Sequence, residues 1–294
     1  MDRIVTTGTF DGLHRGHRLL LESLRMEGER RGWKPVVVTF DRHPLAMINP
    51  ARAPHILMLP GERDARLRDL GFEVAEVHFD EEMRRLTAEA WMRRLRDEYG
   101  AKGVMLGYDN TFGSDGTDLG IRDYEELGRG MCVEVLSCGV EPGVSSSDIR
   151  RALAAGDIAG ANAMLGYDWT LRGNVVHGRE MGRDIGFRTA NLSVDPRLQL
   201  PGRGVYATMV TMPDGTELPA VTNIGMRPTF GEQGPVSVET HIPGFAGDLY
   251  GAELCIRPVT KIRDEERFKT IGDLRLGIER DVARSLEILN SCSA

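Results

Sequence analysis

The sequence predicts an α/β domain followed by a β domain. Residues 1–165 are expected to form a parallel sheet with helices on both faces, and residues 166–294 a small antiparallel barrel closed by a terminal helix. Three observations carry this. The chain has 294 residues, and at about 150 residues per domain that length accommodates two cores. Strand-like and helix-like segments alternate up to about residue 145, the pattern of a parallel sheet built from strand–helix–strand units. Beyond Trp169 the alternation gives way to short strands punctuated by Gly and Pro, the pattern of a small barrel.

The elements follow in order. Arg3 to Thr7 reads as a strand ending at Gly8, and residues 15–31 as a helix with Leu19, Leu20, Leu24 and Met26 among Arg and Glu. Lys34 to Phe40 (KPVVVTF) has the continuous apolar run of a strand buried on both faces. Helices are expected over 62–70, 87–99 and 117–128, and strands over 73–79, 102–107 and 131–136. Residues 146–165 read as two short helices separated by Gly156 and Asp157, with the domain boundary near 160–168. Strands are then expected over 170–177, 203–212, 216–224, 235–242 and 252–262, with Met212-Pro213-Asp214-Gly215 as a turn between two of them. Residues 273–289 close the chain as an amphipathic helix.

Composition excludes several partners. The 37 Lys and Arg against 44 Asp and Glu leave a net charge of −7, so the phosphate field of nucleic acid or of an anionic membrane repels the chain as a whole. Aromatic residues make up 6%, too few for an extended base-stacking platform. Cys132, Cys138, Cys255 and Cys292 form no C-x-x-C pair, which is the pattern of reduced thiols in a cytoplasmic protein. The opening residues MDRIVTTGTFDG carry no secretory signal, and no stretch reaches the ~20 apolar residues that span a bilayer.

The strongest local signal is GTFDGLHRGH over residues 8–17. Gly8, Gly12 and Gly16 allow close approach of backbone to a ligand. The segment leaves the carboxyl end of the first strand and opens the first helix, where open α/β sheets bind nucleotides and a helix N-terminus favours an anion. His14 and His17 are three apart, so one helical turn presents both imidazoles. Two such donors suit phosphate oxygens that gain charge during transfer. A lone histidine here would be read as a cap or a packed side chain; two in a glycine-rich turn favour function. Zinc is the weaker option, since nearby carboxylates and thiolates lack ligand spacing, and no G-K-[ST] marks a Walker loop.

These residues resemble the His-x-Gly-His signature of the HIGH-type nucleotidyltransferases, which have a Rossmann-like fold. The longer match G-x-F-D-G-x-H-x-G-H resembles the N-terminal module of the bacterial bifunctional riboflavin kinase/FAD synthetase family. TFDRHP (39–44) is similar to that family's second-strand motif. GYDNTFG (107–113) is similar to its G-x-D-F-x-F-G loop, with Asn110 where Phe is usual. VSSSDIRRAL (144–153) is similar to its Ser-Ser-Thr-x-Ile-Arg segment, with Ser147 in the Thr place. The resemblance implies His14 and His17 as catalytic groups. Gly8, Phe10, Asp11, Gly12, Ser146, Ser147 and Arg150 would contact ATP, and Asp109 and Phe112 the flavin. Arginine forks onto phosphate and serine hydroxyls donate to it; a Ser-rich turn is also an N-cap, and both can hold at once.

A second cluster, GNVVHGREMGRDIGFRTANL, spans residues 173–192 with Gly173, Gly178, Gly182 and Gly186. So many glycines suit a loop that folds over phosphates, although glycines alone would equally fit a hairpin. Arg183 supplies charge. Thr189 and Asn191 alternate with Ala190 and share one side of a strand; a hydroxyl and an amide oxygen are hard ligands for Mg²⁺ with ATP. The stretch resembles the riboflavin kinase signature, a glycine-rich loop followed by Pro-Thr-Ala-Asn, with Arg188 in the proline place. Losing proline loosens the backbone, while a cationic side chain could instead reach a phosphate; both readings stay open. LPGRGVYA (200–207) and TNIGMRPTFG (222–231) are similar to further barrel strands, and VSVETHI (236–242) to the strand with the catalytic glutamate. That implies Glu239 as the base for the flavin ribityl hydroxyl. KIRDEERF (261–268) is similar to the segment folding against the flavin, which implies Arg263 and Phe268 as flavin contacts.

Together the matches run from about residue 4 to 289 in the family's order. They imply a cytoplasmic enzyme acting on small molecules, riboflavin, FMN and ATP, with Mg²⁺, and yielding FAD, with no nucleic-acid or membrane partner. The ATP contacts implied in the second domain are Gly178, Gly182, Arg183, Thr189 and Asn191, the last pair also holding the metal. Two rival readings remain: a nucleotidyltransferase for another substrate, against which the second cluster argues, and a flavin binder with one degenerate site, to which Asn110 and Arg188 give weight.

Overall fold

The computed structural model describes residues 2–108, 111–178, 186–226 and 236–292. Asp109, Asn110, Gly182 and Arg183 lie outside the described residues. The chain divides into two compact units, Met1–Ser146 and Ser147–Ala294.

The first unit is a parallel sheet flanked by helices. Its elements are β1 (Arg3–Thr7), α1 (Arg15–Arg31), β2 (Lys34–Phe40), α2 (Pro44–Ile48), α3 (Pro60–Asp69), β3 (Glu73–Val77), α4 (Glu81–Arg85), α5 (Ala88–Tyr99), β4 (Ala101–Leu106), α6 (Ile121–Met131) and β5 (Glu134–Ser137), with single 3₁₀ turns at Pro50–Arg52 and Gly116–Asp118. The strands lie in the order β3-β2-β1-β4-β5, and every pairing is parallel. Val36, Val37 and Val38 of β2 are fully buried, as the continuous apolar run requires of a strand covered on both faces. On one side Trp91, Met92 and Leu95 of α5 pack against Val5, Val38 and Val104. On the other, α1 turns Leu20, Leu21 and Leu24 inward.

The order of strands places the function. From β1 the chain builds outward through β2 and β3, then returns to lay β4 on the opposite edge of β1. The crevice beyond the carboxyl ends of β1 and β4 is therefore the topological switch point, where such sheets bind ligands. One expectation shifts here. Residues 131–133 read as strand in the sequence, yet Met131 ends α6 and Cys132 is its left-handed cap at φ 57°, its N–H bonded to the Arg129 carbonyl. Met131 and Val133 still fill the core, so the apolar run was real while the backbone reverses within it.

The second unit contains α7 (Ser146–Ala155, its first residue closing the first unit), α8 (Ile158–Leu165), β6 (Leu171–Val176), β7 (Ala190–Ser193), β8 (Gly204–Thr211), β9 (Glu217–Met226), β10 (Val236–His241), β11 (Glu253–Arg263) and α9 (Ile271–Cys292). Its six strands close into a barrel in the order β10-β7-β6-β11-β8-β9. Leu192, Val210, Ile224, Val238 and Ile256 are buried in it. A buried ladder of hydroxyls joins Thr208, Thr222 and Thr240, 2.9 Å at each step, which satisfies polar groups that would otherwise be costly inside. The helices α7 and α8 join this unit: Gly202 donates its N–H to the Leu153 carbonyl at 2.8 Å. The terminal helix is anchored by Ser285, whose hydroxyl donates to the Ala220 carbonyl at 2.8 Å.

Candidate active sites

The site of the first unit is the loop from β1 to α1. Three of its residues have left-handed backbones: Phe10 at φ 48°, Gly12 at 80° and Leu13 at 40°. For non-glycine residues this costs of order 1–3 kcal/mol each, and it persists only where surroundings enforce it. The ring of Phe10 and the side chain of Leu13 are buried, each 2% exposed. The turn delivers His14 to the N-cap of α1, where its Nδ1 accepts the N–H of His17 at 3.3 Å. The cap reading thus holds for His14, and the same turn sets its ring beside that of His17. The His14 and His17 rings stack with centroids 3.6 Å apart and 17° between planes, and Phe10 lies against His17 at 5.3 Å. Gly16 gives this stack room, since a Cβ there would meet the His14 ring at a tight 3.3 Å.

The stack fixes the protons. An Nδ1 that accepts carries no hydrogen, so His14 keeps its proton on Nε2. The Nδ1 of His17 is buried without a partner, and a buried orphan acceptor is better tolerated than a buried orphan N–H; this also assigns the proton to Nε2. Burial holds the His17 imidazole well below the usual histidine range, and the adjacent His14 pushes it the same way. Each ring thus keeps a hydrogen on Nε2, and burial keeps His17 neutral. The first turn of α1 carries no acidic residue, which leaves the positive end of the helix dipole for an anion.

Other candidates of this unit play supporting parts. Asp11 is buried, and its Oδ1 accepts the backbone N–H groups of Leu57 at 2.7 Å and Met58 at 3.3 Å. Ser146 donates its hydroxyl to the Asp11 carbonyl at 3.0 Å. Gly8 donates its N–H to the Val38 carbonyl at 3.1 Å, tying the loop to β2. Phe112 is 9% exposed and packs on Tyr124 with centroids 4.7 Å apart, while the Tyr124 hydroxyl bonds both its N–H and its carbonyl. A side chain expected to meet flavin is thus largely spent on the core. Ser147 and Arg150 fall in the second unit, on the first turns of α7.

The site of the second unit gathers across three strands. In register, Glu239 of β10 stands opposite Asn191 of β7 on one side and Asn223 of β9 on the other. Directly opposed residues share a face, so the carboxylate stands in a row between two amides. Val238 and Thr240 are buried on the inner face of the same strand, so Glu239 faces outward. Gly178 lies against Asn191: a Cβ there would fall 2.2–2.6 Å from the Asn191 amide atoms. Thr189 and Arg188 line a neighbouring cavity of about 350 Å³, together with Thr240, Ile242 and the 245–250 loop. His241 holds the Arg188 carbonyl through Nδ1 at 2.8 Å. The sequence reading missed Asn223, whose signal is its register opposite Glu239, and the 245–250 loop, whose turn-rich FAGDLY carries no periodicity.

Arg263 and Phe268 lie together at the end of β11. Arg263 forks onto buried Asp281 of α9 at 2.9 and 2.7 Å and donates to the Asp264 carbonyl at 2.9 Å. The carboxylate of Asp281 holds the guanidinium firmly charged. Phe268 lies under the guanidinium at 5.5 Å, with its ring edge against Gly277. The pair fastens the end of β11 to α9, and the guanidinium is committed to that contact. Among the described residues no group of three or more His, Cys, Asp or Glu is placed to hold a metal. Thr189 and Asn191 offer neutral oxygens, which fit Mg²⁺ only as a partial set completed by phosphates and water.

Comparison with known proteins follows the same division. The FAD synthetase family model matches residues 1–140, and the riboflavin kinase family model matches residues 165–289. The bifunctional riboflavin kinase/FMN adenylyltransferase of Pseudomonas fluorescens is 34% identical over 284 residues, covering 95% of this chain and 91% of its own. Its namesake from Escherichia coli K12 is 35% identical, covering 95% and 90%. That of Bacillus subtilis is 32% identical over 295 residues, covering 98% and 93%. A crystal structure described as a macrolide-efflux protein from Streptococcus pneumoniae superposes with a TM-score of 0.84 at 30% identity, over 95% of this chain and 92% of that one. Among the described residues no helix is long and apolar enough to cross a membrane.

Proposed function

We propose how the chain works from one premise: it belongs to the bifunctional riboflavin kinase/FMN adenylyltransferase family. It phosphorylates riboflavin to FMN and adenylylates FMN to FAD, with ATP as donor in both steps. The observation that carries this is the presence of two chemically distinct sites in one chain. One is a pair of imidazole donors at a helix N-terminus, and the other a carboxylate between two amides beside a cavity.

In the first domain, taken as 1–165, a phosphate oxygen of FMN attacks the α-phosphorus of ATP. The new P–O bond forms as the bond to pyrophosphate breaks. FMN phosphate is ionised near neutral pH, so the step needs no general base. His14 and His17 donate their Nε2–H groups to oxygens that gain charge. Ser147 and Arg150 contribute a hydroxyl and a fork to the ATP phosphates. Gly8, Phe10 and Asp11 shape the loop, and Asp109 and Phe112 are the proposed flavin contacts, Phe112 through the small part of its ring left exposed.

In the second domain, taken as 166–294, the ribityl hydroxyl attacks the γ-phosphorus of ATP. Glu239 takes its proton, and ADP leaves. The cavity beside Thr189 accepts the ATP base among Ile242, Phe245 and Leu249, apolar and aromatic side chains suited to a flat ring. Thr189 and Asn191 would hold Mg²⁺, which would neutralise charge on the transferring phosphate. Gly178, Gly182 and Arg183 are the proposed ATP contacts, and Arg263 and Phe268 the proposed flavin contacts. The setting is the cytoplasm, with small-molecule partners and no nucleic acid.

Incubating the pure protein with riboflavin, ATP and Mg²⁺ and following products by chromatography tests this. FMN should appear first and FAD after it. FMN with no FAD, even when FMN is supplied directly, would leave the first site without its proposed reaction.

A further inference from the structure

A buried arginine stands beside the histidine loop, and none of the roles above uses it. Arg63 of α3 is 5% exposed. Its Nη1 donates to the Thr9 carbonyl at 3.2 Å and the Phe40 carbonyl at 2.9 Å, and its Nε donates to Asp64 Oδ1 at 2.8 Å. One guanidinium thus spans the carboxyl ends of β1 and β2. Glu76 lies at 3.5 Å from Nη2, a second carboxylate toward the buried cation.

The contact closes a circuit. Thr9 directly precedes Phe10, the first left-handed residue of the loop. Asp11 then reaches to the amides of Leu57 and Met58, just before α3 begins at Pro60. Arg63, on the first turns of that helix, returns to Thr9. The loop is therefore pinned to α3 on both sides of Phe10. Two strained non-glycine residues, Phe10 and Leu13, need such over-determination to persist. A buried ion pair is weak evidence for stability in itself; what fixes the geometry here is that one guanidinium hydrogen-bonds two carbonyls and a carboxylate.

We infer that Arg63 is a positioning residue for adenylyl transfer. With Asp11 it clamps the 8–14 loop in its left-handed form and so holds the stacked His14 and His17 rings with both Nε2–H groups aligned. It touches no substrate. The inference rests on the adenylyl-transfer reading of this site, and its test separates the two. Lysine keeps the charge at this position but cannot span two carbonyls and a carboxylate in one plane.

The full-length variants Arg63→Lys and Asp11→Asn test the clamp. Misplacement of catalytic groups by about 1 Å costs up to about a hundredfold in rate. The kcat for FAD formation should accordingly fall roughly tenfold to a hundredfold in Arg63→Lys, with the KM for ATP within about threefold of wild type. Riboflavin phosphorylation by the same protein should stay within about twofold. Imidazole ¹H–¹⁵N spectra should show the His14 and His17 signals displaced in both variants as the stack loosens. Wild-type kcat for FAD formation, or a loss confined to KM, would overturn the clamp. So would lost turnover with wild-type imidazole signals, which would mark Arg63 as merely structural. If the wild-type protein made no FAD the functional reading would fail instead, and the imidazole signals alone would decide the clamp, refuting it if both variants left them unchanged.

Discussion

The backbone N–H of His17 donates to the Nδ1 of His14 at 3.3 Å while the two rings stack at 3.6 Å. One residue caps the helix and thereby fixes its own proton on Nε2. Replacing His17 with Ala removes a donor and the partner of that stack. Loss of one preorganised donor to a developing oxyanion costs about 10²–10³ in kcat. FAD formation by His17→Ala should fall at least that far, while FMN formation from riboflavin stays close to wild type. Equal collapse of both activities in soluble, folded protein would contradict two independent sites.

Burial of His17 also couples the fold to pH. Its folded imidazole is held well below the usual 6.5, by burial first and by His14 second. The unfolded chain therefore takes up a proton as pH falls through about 6.5, when the folded chain does not. Stability from this group is whole above that pH and is lost progressively below it, down to the folded value. Denaturant unfolding at about pH 7.5 and about pH 5.5 should show a drop in the wild type that His17→Asn reduces. The same drop in both proteins would remove His17 as its source.

Glu239 stands in register between Asn191 and Asn223, so an amide in its place preserves size and polarity and removes only the basic oxygen. General-base assistance contributes typically about 10²–10⁴. Glu239→Gln should lose that much riboflavin phosphorylation and still make FAD when FMN is supplied. Normal phosphorylation by the variant would take Glu239 out of the base role.

These sites differ in how far the sequence reveals them. His14 and His17 are neighbours along one helical turn, so spacing alone brings them together. Glu239, Asn191 and Asn223 meet only through strand register, which depends on pairings between distant segments. Alternation within one strand marked Asn191 and a family resemblance marked Glu239, but neither could show that they meet or that Asn223 joins them. The four-residue β7 was too short to stand out among the glycines around it. Arg63 was hidden for another reason. It is one of three arginines in GERDARLRD, a composition that reads as a solvated helix face, and only the packing shows that this one is buried.

Arg263 was legible as part of a motif, while its contact with Asp281 was not. Asp281 is buried and accepts two guanidinium bonds. Hydrogen bonds to charged groups contribute about 1.5–3 kcal/mol each when a partner is lost. Asp281→Asn keeps the shape and removes the charge, so it should destabilise the second unit by roughly 1–3 kcal/mol. Riboflavin phosphorylation should then decline at lower temperature than in the wild type. An unchanged unfolding midpoint would show that α9 is held without this pair.

Gly178 gives the sharpest test of the second site. Its backbone φ is not left-handed, so alanine meets no conformational penalty there. The cost is steric: the new Cβ would sit 2.2–2.6 Å from the Asn191 amide, closer than any non-bonded pair tolerates. Asn191 must then turn away from Glu239, its neighbour in register. Gly178→Ala should lower FMN formation while leaving FAD formation from FMN intact. If the effect passes through Asn191, it should vanish once that side chain is gone. Asn191→Ala alone and the double variant Gly178→Ala/Asn191→Ala should therefore phosphorylate riboflavin equally well, a coupling that contacting residues show and distant ones do not. Additive losses in that cycle would mean that Gly178 acts on the ligand directly, as a wall of the phosphate loop rather than as the seat of Asn191.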